Sequence, residues 1–126
     1  MLQVGLKGRS ETVVTLANTA KTVGSGTLEV FATPMLVALM ENAAIKALDL
    51  PEDQTSVGTY LDVRHLAATP VGMKVWAEAE LIEIEGRKLV FKLMAYDEKE
   101  QIGEGKHERF IVNCEKFISK ANSKLG

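Results

Sequence analysis

This 126-residue sequence lacks most of the residues and motifs on which familiar classes of protein depend. Its single cysteine, Cys114, excludes an internal disulfide. Its only two histidines, His65 and His107, lie far apart without clustered acidic residues, so we expect no metal site. The sequence contains no GxGxxG or Walker-type phosphate loop, no HExxH motif and no GxSxG motif. We therefore expect any catalysis to use neither a metal nor a bound cofactor.

Long apolar runs and an excess of charge of one sign are also missing. The longest apolar stretch with helical character, residues 35–40, is far shorter than the ~20 residues that a membrane span needs. The first ten residues lack the apolar segment typical of a secretory signal. The net charge is −2 and no basic stripe is interleaved with aromatic residues, so nucleic acid is not an expected partner. The sequence predicts a cytoplasmic soluble protein.

What the sequence does contain is the pattern of one domain over residues 1–126. Short turn sequences at Glu85-Gly86 and at residues 97–100 predict hairpins, and consecutive hairpins join antiparallel neighbours. The C-terminal residues 115–125 are expected to form a short solvated helix or a frayed tail. Five strands are predicted, at residues 10–18, 56–68, 74–84, 88–96 and 101–114.

The helix predicted at residues 34–50 carries one charge on a side that is otherwise apolar. Thr33 suits its N-cap and Pro34 its first turn, and Pro51 is expected to end it. A helix with so much apolar circumference has to be enclosed, either by a curled sheet or by a second subunit. A buried carboxylate without a partner is costly, so Glu41 is expected to face a wet cavity or to act in catalysis. At ~100° per residue, the stripe that holds Glu41 also holds Pro34, Val37, Ala38, Ala44, Ile45 and Leu48.

Two further residues could act with Glu41. His65 is expected to point to the interior, where it is either a base or a structural residue. Thr33 could cap the helix or touch substrate, since a helix N-terminus stabilises a negatively charged oxygen. Thr33 and Glu41 are eight residues apart, which is about 12 Å along one helix at ~1.5 Å per residue. Either the chain folds back at Thr33, or the site combines Thr33 of one subunit with Glu41 of another.

Strand alternation assigns side chains to the two faces of the sheet. In the second strand, His65 shares a face with Val57, Thr59, Leu61 and Val63, and Gly58 lies on the opposite face with Tyr60, Asp62 and Arg64.

In the last strand, Gly103, Gly105, His107 and Arg109 alternate and so share one face. The two glycines indicate a bulge, strand curvature, or the close approach of another backbone or of a ligand. Arg109 could bind a phosphate or carboxylate, or form a salt bridge. His107 is expected at the surface.

Three runs of this sequence resemble the fluoroacetyl-CoA-thioesterase-like branch of the hotdog-fold thioesterases. They are, in order, VFATPMLVALME, GTYLDVRHLAATPVGM and EGRKLVFKLMAYDEKEQIGEGKHERFIVNCEKF. The resemblance covers residues 26–117. It implies an α+β hotdog fold, in which a curved antiparallel sheet of about five strands wraps a long central helix. It also implies a dimer with its active sites at the interface.

The resemblance also assigns site residues. By motif, the family's catalytic residues fall on Thr33, Glu41 and His65, and the arginine of its HER sequence falls on Arg109. The residues expected to contact substrate are Arg109, Gly58, Gly103 and Gly105. The stretch at residues 19–27, which would cover the acyl pocket, has no aromatic residue, so specificity for a fluoroacetyl group is not implied.

The activity implied is hydrolysis of a short-chain acyl-CoA to free acid and CoA, with CoA present only as part of the substrate. In the mechanism that the sequence favours, Thr33 and a nearby main-chain N–H orient the thioester carbonyl, His65 transfers protons, and Glu41 activates water or forms a transient anhydride. In the other, Thr33 is itself acylated with His65 as base. Two other classes stay open: a hydratase or dehydratase acting on acyl thioesters, and a non-catalytic acyl-CoA-binding dimer. The expected partners are an acyl-CoA and a second copy, in a homodimer or larger oligomer, with neither nucleic acid nor membrane.

Overall fold

The computed structural model of the protein describes residues 2–126 and contains one five-stranded antiparallel sheet with a helix across it. The strands are β1 Lys7–Val13, β2 Gln54–His65, β3 Lys74–Glu85, β4 Lys88–Asp97 and β5 Gln101–Asn113. The helices are α1 Ala20–Val23, α2 Thr33–Lys46 and α3 Cys114–Asn122, with short 3-10 turns at Leu16–Asn18 and Ser123–Leu125. The strand order is β1-β3-β4-β5-β2, so β1 and β2 are the two edges. The predicted α+β class and five-stranded antiparallel sheet are confirmed.

The first strand is the one placed least well by the sequence. β1 ends at Val13, whereas the prediction extended to residue 18. The Asn18 side chain accepts a hydrogen bond from the Thr15 N–H and donates one to the Val13 carbonyl, which turns the chain away from the sheet. The predicted hairpin after β3 is also shifted, since its two turn residues are Gly86 and Arg87, with Gly86 at φ +60°.

The helix begins one residue earlier than predicted and ends four residues earlier. Its N-cap is Ala32, and Thr33 is already its first helical residue, so the Thr33 side chain is not a cap. The helix ends at Lys46, well before Pro51, because the Ala47 N–H bonds to Ala44 and Ile45 and closes the last turn. The chain then leaves the helix, and Leu48 and Leu50 pack against the core.

Helix α2 lies on the sheet through one apolar side. The main chain of α2 passes directly over Gly8 of β1, where any side chain would overlap the Ala43 carbonyl and the Ala47 amide. Each fully buried large side chain of this core, such as Leu36 or Met40, contributes about 1.5–3 kcal/mol through loss of contact with water. The α2 residues on the buried side are Leu36, Leu39, Met40, Ala43 and Ala44.

The opposite side of α2 is open to solvent in the single chain. Pro34, Ala38 and Ile45 are exposed, with Ile45 at 48%. The sheet therefore covers one side of the helix and leaves this apolar side exposed within the single chain.

A bulge in β2 changes which side chains share a face. Thr59 is the extra residue between Gly58, which pairs with Arg109, and Tyr60, which pairs with Glu108. Directly opposite residues of antiparallel strands point to the same side. Gly58 therefore lies on the inner face together with His65, and the predicted placement of Gly58 on the opposite face is wrong.

The turn between β4 and β5 is held together by hydrogen bonds to Asp97. Asp97 is buried and accepts hydrogen bonds from the Lys99 and Glu100 N–H groups and from the Thr69 hydroxyl.

The expected short C-terminal helix is present as α3, which is exposed. Within residues 2–126, no helix is long and apolar enough to cross a membrane.

Candidate functional site

Thr33 and His65 meet where the start of α2 faces the end of β2. His65 is the last residue of β2, which stays paired with β5 as far as Gly103. The Phe31 N–H donates to the Thr69 carbonyl, which fixes the segment before α2 beside the loop that follows β2. Thr33 Oγ1 consequently lies 2.7 Å from His65 Nδ1. The structure thus brings together two of the three predicted catalytic residues within one chain, as the Thr33–His65 pair.

The surroundings favour a neutral His65 next to an accessible hydroxyl. Burial lowers the pKa of the His65 imidazole below its usual value, so the ring is uncharged at pH 7. Its Nε2 atom is buried and has no hydrogen-bond partner among residues 2–126. Thr33 is exposed and sits at the positive end of the α2 dipole. A neutral imidazole in contact with a hydroxyl can accept its proton, which is the arrangement of an activated nucleophile.

The third predicted catalytic residue, Glu41, belongs to a different group of side chains. Its carboxylate lies 3.8 Å from Arg109 Nη1, and its side chain is 35% exposed. The expectation that Glu41 has no charged partner is therefore wrong, because the partner comes from β5 rather than from its own helix. Arg109 is buried, and it donates to Ser56 Oγ at 2.7 Å and to the Ser56 carbonyl at 2.8 Å.

His107 is the residue that the sequence placed least correctly. It was expected at the surface, but it is fully buried. Its Nδ1 lies 2.8 Å from the Tyr60 carbonyl, and its Nε2 lies 3.1 Å from Arg109 Nη1. Burial lowers the pKa of His107, against the opposing effect of the Tyr60 carbonyl. The signal that could have located it is its alternation with Arg109 on the inner face of β5.

Gly58 provides the space for these groups. A Cβ atom at Gly58 would lie 2.8 Å from Glu41 Oε2 and 3.2 Å from His107 Cε1. A side chain at this position would therefore displace the Glu41 carboxylate from the buried pair on β5. We call the residues Glu41, His107, Arg109 and Ser56 the carboxylate cluster.

The other two glycines predicted to contact substrate have packing roles. A Cβ at Gly103 would lie 3.0 Å from side-chain atoms of both Leu36 and Met40 of α2. At Gly105 a Cβ would overlap the main chain of β2. The close approach of neighbouring atoms accounts for both glycines, and their contact with substrate stays a prediction.

The Thr33–His65 pair and the carboxylate cluster are separate within one chain. Thr33 is the first residue of α2 and Glu41 lies eight positions later in the same helix, about 12 Å away along its axis. One small reacting group cannot touch both from a single subunit. Among residues 2–126 no group of histidine, cysteine and acidic side chains could hold a metal ion.

Comparisons with known proteins place this geometry in a family. Residues 14–115 match the model of the fluoroacetyl-CoA-specific thioesterase family. A fluoroacetyl-CoA thioesterase of Streptantibioticus cattleyicolor is 44% identical over 98 residues, which are 76% of this chain and 70% of that protein. A mutant of the fluoroacetyl-CoA-specific thioesterase FlK, in complex with fluoroacetate and CoA, has a TM-score of 0.86 at 37% identity, covering 92% of this chain and 99% of its own. A hot-dog-like protein from Thermanaerovibrio acidaminovorans has a TM-score of 0.88 at 27% identity, covering 99% of this chain and 94% of its own. The hotdog fold and the resemblance inferred from the sequence are confirmed.

Proposed function

We propose that this chain, which belongs to the fluoroacetyl-CoA-specific thioesterase family, hydrolyses a short-chain acyl-CoA thioester to free acid and CoA. The observation that carries the proposal is the 2.7 Å contact between Thr33 Oγ1 and His65 Nδ1. A thioester needs a nucleophile at its carbonyl carbon, and the pair supplies a hydroxyl together with the base that activates it. The proposed chemistry needs no cofactor, and CoA takes part only as a portion of the substrate.

Of the two mechanisms that the sequence left open, the geometry favours acylation of Thr33. His65 Nδ1 accepts the Thr33 proton while Oγ1 attacks the thioester carbonyl. The C–S bond then breaks, and the CoA thiolate takes that proton from His65. In the second step, water gives a proton to His65 and attacks the Thr33 ester, which releases the free acid and restores the hydroxyl. The positive end of α2 stabilises the oxyanion of both steps.

We propose that Glu41 acts on the Thr33–His65 pair of a second subunit. The support is the 12 Å separation within one chain, the exposed apolar side of α2 that carries Glu41, and the unpaired outer edge of β2. In a homodimer that covers these surfaces, the Glu41 carboxylate of one subunit polarises the water that attacks the acylated Thr33 of the other. Its charge also stabilises the His65 imidazolium that forms in each step.

The acyl group of the proposed substrate is short and not specifically fluorinated. The segment at residues 19–27 contains no aromatic side chain that could close over a fluoroacetyl group. A cytoplasmic location is part of the same proposal.

The test is release of free thiol from acetyl- to hexanoyl-CoA by the wild type and by Thr33 variants. We expect Thr33→Ala to lower kcat about 10²- to 10⁴-fold, and Thr33→Ser to keep most of the rate because it retains the hydroxyl. Thr55→Ala is the matched control, since Thr55 is an exposed threonine of β2. A wild type that releases no thiol, or a Thr33→Ala variant as fast as the wild type, would contradict the proposal. A change in conjugation absorbance without thiol would indicate a hydratase, and thermal stabilisation without turnover a binding protein.

A further inference from the structure

One buried group has no part in the proposed hydrolysis. His107 is fully enclosed, yet both of its ring nitrogens contact polar atoms of the carboxylate cluster and of β2. We infer that His107 is a positioning residue: it holds the Arg109 guanidinium, and through it the Glu41 carboxylate, in the orientation that hydrolysis needs. The inference rests on the proposed function, in which Glu41 acts on the acyl group.

The two contacts of His107 define its tautomer. The Tyr60 carbonyl can only accept a hydrogen bond, so Nδ1, at 2.8 Å, carries the proton. Arg109 Nη1 can only donate, so Nε2, at 3.1 Å, accepts. Only the neutral imidazole with its hydrogen on Nδ1 satisfies both neighbours. Phe91 of β4 packs against the ring, with 6.1 Å between the ring centroids, and fills the space beside it.

The Arg109 guanidinium donates a hydrogen bond from each of its three nitrogen atoms. Its Nε and Nη2 donate to the side chain and main chain of Ser56, and its Nη1 donates to His107. The remaining charged neighbour of Nη1 is Glu41, at 3.8 Å. We therefore assign Arg109 the support of Glu41, beside its predicted contact with substrate.

Gly58 lies directly beside the side chains of Glu41 and His107. Its main chain approaches so closely that Glu41 Oε2 and the His107 ring occupy the space of a missing side chain. The carboxylate can therefore rest beside Arg109 in few orientations. Without the acceptor at His107 Nε2, Arg109 Nη1 loses a hydrogen bond and the guanidinium is held less firmly. The Glu41 carboxylate beside it is then also less fixed in its orientation.

Two variants of His107 separate positioning from packing. In His107→Gln the side-chain oxygen reaches the place of Nε2 and can still accept from Arg109. In His107→Asn the side-chain nitrogen reaches the place of Nδ1 and still donates to Tyr60, but nothing accepts from Arg109. Both variants remove the same ring, so a merely structural role predicts similar losses of stability and equal kcat.

The measurement is kcat and KM for acetyl-CoA, with thermal unfolding followed by circular dichroism to confirm that both variants fold. We expect His107→Gln to stay within about threefold of the wild-type kcat, and His107→Asn to fall about 10- to 100-fold, with KM nearly constant, because misplacing a reacting group by about 1 Å has this effect. Equal kcat values for the two folded variants would overturn the inference. Adding His107→Asn to Glu41→Gln should lower kcat no further, since His107 acts through Glu41, and a further large loss would also overturn it.

A second measurement does not depend on activity. The ¹⁵N chemical shifts of the His107 ring in the wild type should show a protonated Nδ1 and an unprotonated Nε2. The opposite pattern would refute the inference, because Nε2 could not then accept from Arg109. A wild type that releases no thiol but shows the expected tautomer would contradict the proposed function and not the geometry on which the positioning depends.

Discussion

Subunit mixing gives the sharpest test of how the site is assembled. Thr33 and Glu41 lie eight residues apart on one helix, about 12 Å along its axis, whereas Thr33 and His65 are in contact within a chain. We therefore expect each site to take its Thr33–His65 pair from one subunit and Glu41 from the other. The perturbation is a heterodimer in which one subunit carries Thr33→Ala and the other carries Glu41→Gln.

The expected magnitude follows from counting intact sites. In this heterodimer, one site combines the Thr33→Ala and Glu41→Gln replacements, and the other retains both native residues. The purified heterodimer should therefore have about half the wild-type kcat per dimer, and a random equimolar mixture, half of which is heterodimer, about one quarter. Each parent homodimer should have at most about 1% of the wild-type rate.

The assay is co-expression of the two variants with different affinity tags, purification through both tags, and thiol release from acetyl-CoA. The control pairs Thr33→Ala with the double variant Thr33→Ala/Glu41→Gln, a combination in which no site can regain Thr33. If the first heterodimer is as inactive as its parents while the native dimer is active, Thr33 and Glu41 act within one subunit and the reasoning is refuted.

Three further predictions concern the supporting structure. Gly58→Ala should lower kcat at least about tenfold, because its Cβ would lie 2.8 Å from Glu41 Oε2 and displace the carboxylate; steady-state kinetics with acetyl-CoA checks this. Burial lowers the pKa of His65 and His107 in the folded chain, so below about pH 6.5 the unfolded chain binds more protons than the folded chain does. The melting temperature should therefore be highest above about pH 6.5 and fall as the pH drops below it. Replacing both histidines by glutamine should flatten that pH dependence, and an unchanged slope would refute the assignment. Asp97→Asn should lower the free energy of unfolding by about 1–3 kcal/mol in a urea titration, since it places an amide N–H against a donor in a buried turn; no loss would contradict this role.

The sequence predicted the strands well where alternation of side chains was regular. Four of the five strands agree with their predicted limits to within three residues, and His65 was correctly placed on the inner face. The limits of α2 were less accurate, because Thr33 resembles a cap in sequence but its hydroxyl contacts His65 instead. Whether the Thr33 hydroxyl caps the helix or contacts His65 depends on the tertiary structure, which a local sequence pattern does not contain.

The carboxylate cluster could be predicted only in part. Glu41 was singled out as an anomaly within its helix, but its partner Arg109 lies on a strand far along the chain, and nothing local joins the two. The bulge at Thr59 reverses the alternation of β2, so Gly58 was placed on the wrong face. His107 was assigned to the surface, but its burial depends on the hydrogen-bond partners provided by Tyr60 and Arg109, which the local sequence does not show.

The bulge in β2 also affects which chains can assemble with this one. A long unpaired strand edge ordinarily accepts almost any extended segment, which is how unrelated chains aggregate. Here the extra residue Thr59 interrupts the regular spacing of the free edge, and the exposed charges of Asp62 and Arg64 lie just beyond it. A strand from another copy carries the same interruption and the same two charges, so two-fold pairing can match them, whereas a strand without these features leaves them unmatched. In a cell that makes several hotdog proteins, we expect this edge to discriminate its own subunits from theirs.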